Sequence, residues 1–173
     1  MEPKIRRNMP TGVNAKFVGE ALNKKPWTGP IIDLGAANCS DWYDHYARGT
    51  QWIKLDLEQN RAKDIDIIAD ILNMPQVNSN FYGVAVFCET LEHLKNPFVA
   101  FSEINRILRP GGMLICTTVA CWVEHGHPHD YFRFMPQGLR TLCESVNLKV
   151  FHEVLFPKST EQPSHCMIAA IKP

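Results

Sequence analysis

A chain of 173 residues that is 45% apolar and 21% charged has the size and composition of a single folded domain and lacks the signature of disorder. Its 18 basic and 18 acidic side chains cancel, so the broad excess of Lys and Arg needed to grip an extended phosphate backbone is missing, and nucleic acid is not expected as a partner. No apolar run approaches the roughly 20 residues that cross a bilayer, and no apolar segment follows Lys4, Arg6 and Arg7 as a secretory leader requires. A cytoplasmic protein without a membrane partner is the expectation, in which the scattered Cys39, Cys88, Cys116, Cys121, Cys143 and Cys166 read as buried thiols.

The zero net charge conceals an asymmetry. Residues 1–25 hold Lys4, Arg6, Arg7, Lys16, Lys24 and Lys25 against Glu2 and Glu20, a net of +4, and the remainder carries −4. Residues 1–27 read as a basic leader and short helix, capped by Asn14 with Phe17, Val18, Ala21 and Leu22 on one face, lying over the rim of a site. The alternative is a basic lid for an anionic substrate. Residues 28–173 read as one domain.

From Pro30 onward short apolar runs alternate with helical stretches, as in βα units around a parallel sheet. Strands are expected at 31–34, 51–55, 65–69, 83–88 and 113–119. Between the last two, Asn96 caps a helix with Pro97 in its first position, and Phe98, Phe101, Ile104, Ile107 and Leu108 form its apolar stripe. Pro110-Gly111-Gly112 is expected to stop that helix. A second helix is expected over 136–147, with Leu139, Leu142, Cys143 and Val146 on one face. Two strands without an intervening helix, 148–156 and 164–171, then permit an antiparallel pair. Trp42, Tyr43 and Tyr46 read as packing residues.

In open α/β sheets ligands bind beyond the carboxyl ends of the strands. Here those positions hold Asp33-Leu34-Gly35-Ala36-Ala37-Asn38, Asp56, Asp70, Cys88-Glu89 and Thr117 to Trp122. A carboxylate about 20 residues after a nucleotide-binding glycine turn suits a ribose diol, and Asp56 lies 21 residues after Gly35. Mapped on G-x-G-x-x-G the turn keeps only Gly35, with Ala37 and Ser40 in the other positions. The methyl of Ala37 narrows the close approach that a pyrophosphate needs, which disfavours NAD and FAD. A nucleoside without phosphates, such as S-adenosylmethionine, makes no such demand.

The ordered segments IIDLGAAN, WIKLDLEQ, DIDIIADILNMP, VAVFCETLEHLKNP, FSEINRILRPGGMLICTTV and HPHDYFRFMPQGLRTLCES resemble the class I S-adenosylmethionine-dependent methyltransferases, within them the methyltransferase type 11 group. The resemblance runs over about residues 28–173. It implies a Rossmann-like three-layer α/β sandwich with a seven-stranded, mostly parallel sheet whose last strand is antiparallel, and S-adenosylmethionine as cofactor. It further implies that Asp33, Gly35 and Ala36 cradle the methionine part and that Asp56, with Leu57 beside it, holds the ribose. Asp70 and Ile71 would bracket the adenine, and Glu89 would stand beside the methionine end. Ala37 and Cys39 replace glycines common in the family, and Met135 replaces the usual helix-capping Thr.

Methyl transfer from a sulfonium requires alignment and exclusion of water, and a base where the nucleophile is a hydroxyl. The stretch Glu124 to Tyr131 lies at the right end of the sheet, and His129 beside Asp130 is the first choice for the base, with His93 its rival. His127, Tyr131 and Arg133 are candidates for the acceptor pocket, or for bracing it. Three alternate histidines also invite a metal reading, but the H-x-H-x-D-H order of a hydrolase is not met and no metal is expected. The expected function is methyl transfer to a small or saccharide-like acceptor at oxygen. An inert module of the same fold acting as a partner subunit and, behind it, a metal-dependent hydrolase are the alternatives; a homodimer or a protein partner stays open.

Overall fold

The computed structural model describes residues 11–36, 44–58, 65–126, 128–157 and 162–173. Seven strands, β1 (Ile31–Leu34), β2 (Trp52–Asp56), β3 (Ile67–Ile68), β4 (Tyr82–Cys88), β5 (Leu108–Val119), β6 (Lys149–Phe156) and β7 (His165–Ile171), form one sheet in the order β3-β2-β1-β4-β5-β7-β6. The first five run parallel, β7 is antiparallel to β5, and β6 is antiparallel to β7. Strand order reverses between β1 and β4, which creates the crevice where such sheets bind ligands.

Side-chain alternation divides the central strands between two cores. Ala85 and Phe87 of β4, Leu114 and Cys116 of β5, and Cys166, Ile168 and Ala170 of β7 face one core, completed by α2 (Pro97–Ile107) and α3 (Pro136–Ser145). Val84 and Val86, Met113 and Ile115, and Met167 and Ala169 face the other, where α1 (Thr11–Lys24) lays Phe17, Val18, Ala21 and Leu22. Two helical layers around a sheet make the expected three-layer α/β sandwich. Helix α2 starts as its sequence predicts, with Pro97 in the first turn and the Asn96 side chain accepting a 3.3 Å bond from the Val99 amide. Its Phe101, wholly buried, is worth about 1.5–3 kcal/mol by burial alone.

Several boundaries differ from expectation, each for a physical reason. Asn14 caps nothing; α1 already begins at Thr11, and Asn14 lies buried inside it with no hydrogen-bond partner for its Oδ1. The helix packs on the sheet face against β5 and β7 rather than over a rim, because its apolar stripe requires that cover. Helix α2 ends at Ile107, before Pro110-Gly111-Gly112. Leu108 is already extended and pairs with Tyr82, and the Pro-Gly-Gly becomes a register shift within β5 whose Gly111 amide bonds the Lys172 carbonyl at 2.9 Å. Strand β3 keeps only two of its five expected residues. Helix α3 stops at Ser145 because Asn147 turns left-handed at φ 59°, and Met135 before it provides no side-chain cap, as its chemistry dictates. Four cysteines are buried as expected, with burial pushing the Cys143 and Cys166 thiols up to about 12. Cys121 instead stands exposed on the turn after β5, and Cys39 lies outside the described residues. Tyr46 packs its ring over Gly19 of α1, while Trp42 and Tyr43 lie outside the described residues.

Candidate active site at the strand ends

At the crevice between β1 and β4, Gly35 adopts φ 79° and offers its amide to the Leu55 carbonyl at 2.9 Å. A Cβ there would run into the Thr90 side chain, which follows β4 and is itself bonded to the Cys88 carbonyl at 3.0 Å. Only glycine satisfies both the left-handed backbone and that approach. Asp33, one residue inside β1, and Ala36, just past it, are both buried.

The other predicted cofactor residues follow strand by strand. Asp56 ends β2, nearly buried, its Oδ1 accepting the Leu57 amide at 2.7 Å while the Leu57 side chain stands exposed. Asp70, beyond β3, is exposed and folds its own turn, with Oδ1 accepting from the Leu72 amide at 2.9 Å. Ile71 beside it turns into the core. The loop after that turn is held from α2: Arg106 donates to the Met74 and Val77 carbonyls at 2.8 Å, and Glu103 accepts from the Met74 amide at 2.9 Å. The two side chains also pair with each other at 2.8 Å, and Arg106 holds the Glu103 carboxyl below its ordinary pKa.

Glu89 ends this row at β4, with φ 50°, a left-handed backbone rare for a residue with a side chain and frequent at functional sites. The Thr117 hydroxyl donates to its Oε1 at 2.9 Å, and His165 Nε2 lies 3.2 Å from its Oε2. Ser164 gives its one hydroxyl proton to the Phe156 carbonyl, so His165 Nδ1, at 2.8 Å, is the donor to Ser164 Oγ.

The histidine-rich segment closes on the neighbouring 3₁₀ turn, Leu91–His93. Backbone amides of Tyr131 and Phe132 both donate to the Glu92 carbonyl, at 2.8 and 3.3 Å, which tethers the segment above β4 and β5. Glu92 is fully buried and its Oε2 accepts from Thr118 at 2.8 Å. His93 and His125 point their Nε2 atoms at the other oxygen, Oε1, from 3.8 and 3.7 Å. The Glu92 carboxylate raises the His125 pKa, and partial burial opposes that shift.

Asp130 does not serve the histidine that precedes it. Its carboxylate takes two bonds from the Arg133 guanidinium and a third, at 2.8 Å, from the His125 amide, with His125 Nδ1 at 3.1 Å. Arg133 holds it far below the usual carboxylate range. Arg133 also donates to the Trp122 and Val123 carbonyls at 3.1 and 3.0 Å, so its charge braces the segment. His129 is exposed, with its ring beside Tyr131 and its carbonyl 2.6 Å from His93 Nδ1. His127 lies outside the described residues. The structure thus brings His93 together with Glu92 and His125, and leaves His129 and Asp130 without a shared contact among those described.

Residues 34–116, about half of the chain, match the family described as "Methyltransferase domain". Residues 34–116 thus carry a methyltransferase domain. Among solved structures, this methyltransferase superposes on BH2331 of Bacillus halodurans C-125, a provisional methyltransferase, with a TM-score of 0.72 at 13% identity, covering 94% of this chain and 99% of that one. The 1,6-didemethyltoxoflavin-N1-methyltransferase of Burkholderia thailandensis, which binds S-adenosylhomocysteine, gives 0.71 at 14% identity over 94% and 77% of the two chains. Geranyl diphosphate C-methyltransferase of Streptomyces coelicolor A3(2) gives 0.71 at 15%, again over 94% and 77%. A search of curated protein sequences finds no match. Among the described residues no helix of the methyltransferase is long and apolar enough to cross a membrane.

Two residues of this site, Glu92 and His165, escape the sequence reading, as do the contacts that His125 and Thr118 make with Glu92. For His165 a signal existed. An antiparallel strand enters the sheet at the end where parallel strands leave it, so its first residue must stand among the strand-end acids; His165 pairs with Val119, the last residue of β5.

Proposed function

We propose that this methyltransferase transfers the methyl group of S-adenosylmethionine to an oxygen of a small, hydroxylated acceptor of saccharide-like character. The observation that carries the reading is the row Asp33, Gly35, Asp56, Asp70 and Glu89 at four adjacent strand ends, opening on the crevice between β1 and β4. Asp33, Gly35 and Ala36 would take the methionine end, Asp56 with Leu57 the ribose hydroxyls, and Asp70 with Ile71 the adenine. Glu89 would stand by the sulfonium.

The neighbours with named substrates methylate nitrogen and carbon, so the choice of oxygen rests on this chain's own residues. A hydroxyl must lose a proton as it is methylated, and proton acceptors stand at the ends of β4 and β5. Of the sequence candidates, His129 lacks the carboxylate that would orient it. Proton acceptance falls instead to the group of Glu92, His93 and His125. Tyr131 and Phe132, partly exposed and tethered to Glu92, offer ring faces suited to a sugar or another flat acceptor; Arg133 supports them.

Incubation of the protein with S-adenosylmethionine and a panel of monosaccharides, glycosides and phenols, read as S-adenosylhomocysteine formed, tests the proposal. Acceptor-dependent product with a methyl ether is the expected result. Product only with amine or carbon acceptors would overturn the choice of oxygen, and no turnover with any acceptor despite cofactor binding would make the chain an inert module.

A further inference from the structure

The Glu92 group carries a feature that methyl transfer alone does not require. His93 Nδ1 lies 2.6 Å from the His129 carbonyl, which can only accept, so the Nδ1 atom bears a proton. His125 Nδ1 faces two acceptors, Asp130 Oδ2 at 3.1 Å and the Val123 carbonyl at 3.2 Å, and bears one for the same reason. In the neutral rings both Nε2 atoms then present lone pairs, and both converge on Glu92 Oε1. That oxygen is wholly buried and has no hydrogen-bond partner. Three lone-pair atoms from three side chains lie within 4.8 Å of one another.

The Nε2 to Oε1 separations of 3.7 and 3.8 Å exceed a hydrogen bond. A cation fits better, since an ion with ligands at about 2.0–2.1 Å in tetrahedral array sets its donor atoms roughly 3.3 Å apart, reached here by small rotations of the rings. The surroundings have the form that metal-binding histidines use: each ring's other nitrogen is fixed by a carbonyl or carboxylate, Asp130 is itself clamped by Arg133, and Thr118 holds the second oxygen of Glu92.

We propose that Glu92, His93 and His125 bind a single divalent transition-metal ion, zinc first among them by the match of imidazole and carboxylate donors. Three protein ligands leave a fourth position for water or an acceptor oxygen; with its lone pairs engaged, the group then assists the hydroxyl through the ion, which lowers the pKa of a bound hydroxyl, in place of taking the proton itself. The binding claim is independent of the acceptor; only this use of the ion rests on the methyl-transfer reading.

The test is calorimetric titration of the chelator-stripped full-length protein with zinc chloride, repeated with Co²⁺ and read by visible absorption. One ion per chain is expected, with the intense bands of four-coordinate cobalt. His93→Ala and His125→Ala should each weaken zinc by about a hundredfold or more, and Thr118→Val by about tenfold, in line with the cost of losing a supporting partner. Binding of S-adenosylhomocysteine, measured on the same samples, reports whether each variant is folded. Absence of saturable one-to-one binding in wild type, or unchanged binding in the His93→Ala/His125→Ala double variant, would overturn the proposal. Zinc bound without the nucleoside, or the nucleoside without zinc, separates failure of the functional reading from failure of this one.

Discussion

The two halves of the strand-end rim are built differently. At the ends of β2 and β3 the carboxylates are organised by local backbone: Asp56 takes the next residue's amide and Asp70 the amide two residues on. At the ends of β4, β5 and β7 the carboxylates are organised by side chains, most of them distant in sequence: Glu89 by Thr117 and His165, and Glu92 by Thr118, His125 and the adjacent His93. The first arrangement suits a bound nucleoside, whose hydroxyls complete the acids. The second arrangement places lone pairs and protons against one another, which suits chemistry on the acceptor.

That contrast should appear in kinetics. His93→Ala or His125→Ala is expected to lower kcat with a hydroxyl acceptor by about 10²–10⁴-fold, the scale of acid–base assistance. The Kd for S-adenosylhomocysteine should change little. An equal loss in both would merge the two halves into one site. Asp56→Ala should do the reverse, weakening the nucleoside by about 10–100-fold through loss of charge-assisted hydrogen bonds, and His129→Ala should weaken it less. Calorimetry on both variants decides, and the opposite ranking would contradict the assignment.

Smaller effects probe the supports. Gly35→Ala places a Cβ in a left-handed position against Thr90, at a cost of about 1–2 kcal/mol in urea unfolding, with weakened nucleoside binding. The smallest effect concerns the loop behind Asp70. Because Arg106 lowers the folded Glu103 pKa, this pair contributes stability above the ordinary Glu pKa near about 4.3 and loses it as pH falls through the folded value. Glu103→Gln should therefore cost about 1 kcal/mol at neutral pH and flatten the acid side of the melting profile. A profile as steep as wild type would show that the pair is not the source.

How much of this was legible in the sequence follows the same division. Apolar runs and the Asn96-Pro97 start placed all seven strands and α2, because those signals are local. The strand-end acids followed from the run boundaries. Adjacency in sequence misled where geometry is set by the fold: His129 and Asp130 are neighbours in the chain, yet the carboxylate turns to His125 and Arg133. Glu92 reads as one polar residue in a short turn, and only the packing of Thr118 beneath it and two rings above it gives the residue a function. Asn14 shows the same limit, since a good cap residue fails to cap when the helix begins earlier.

The central claim is that the row of acids holds a nucleoside sulfonium cofactor. Isothermal titration of the wild-type protein with S-adenosylhomocysteine, with NAD titrated in parallel, tests it most directly. One S-adenosylhomocysteine per chain and no heat of binding with NAD are expected; saturable binding of NAD with none of S-adenosylhomocysteine would overturn the assignment of the acids.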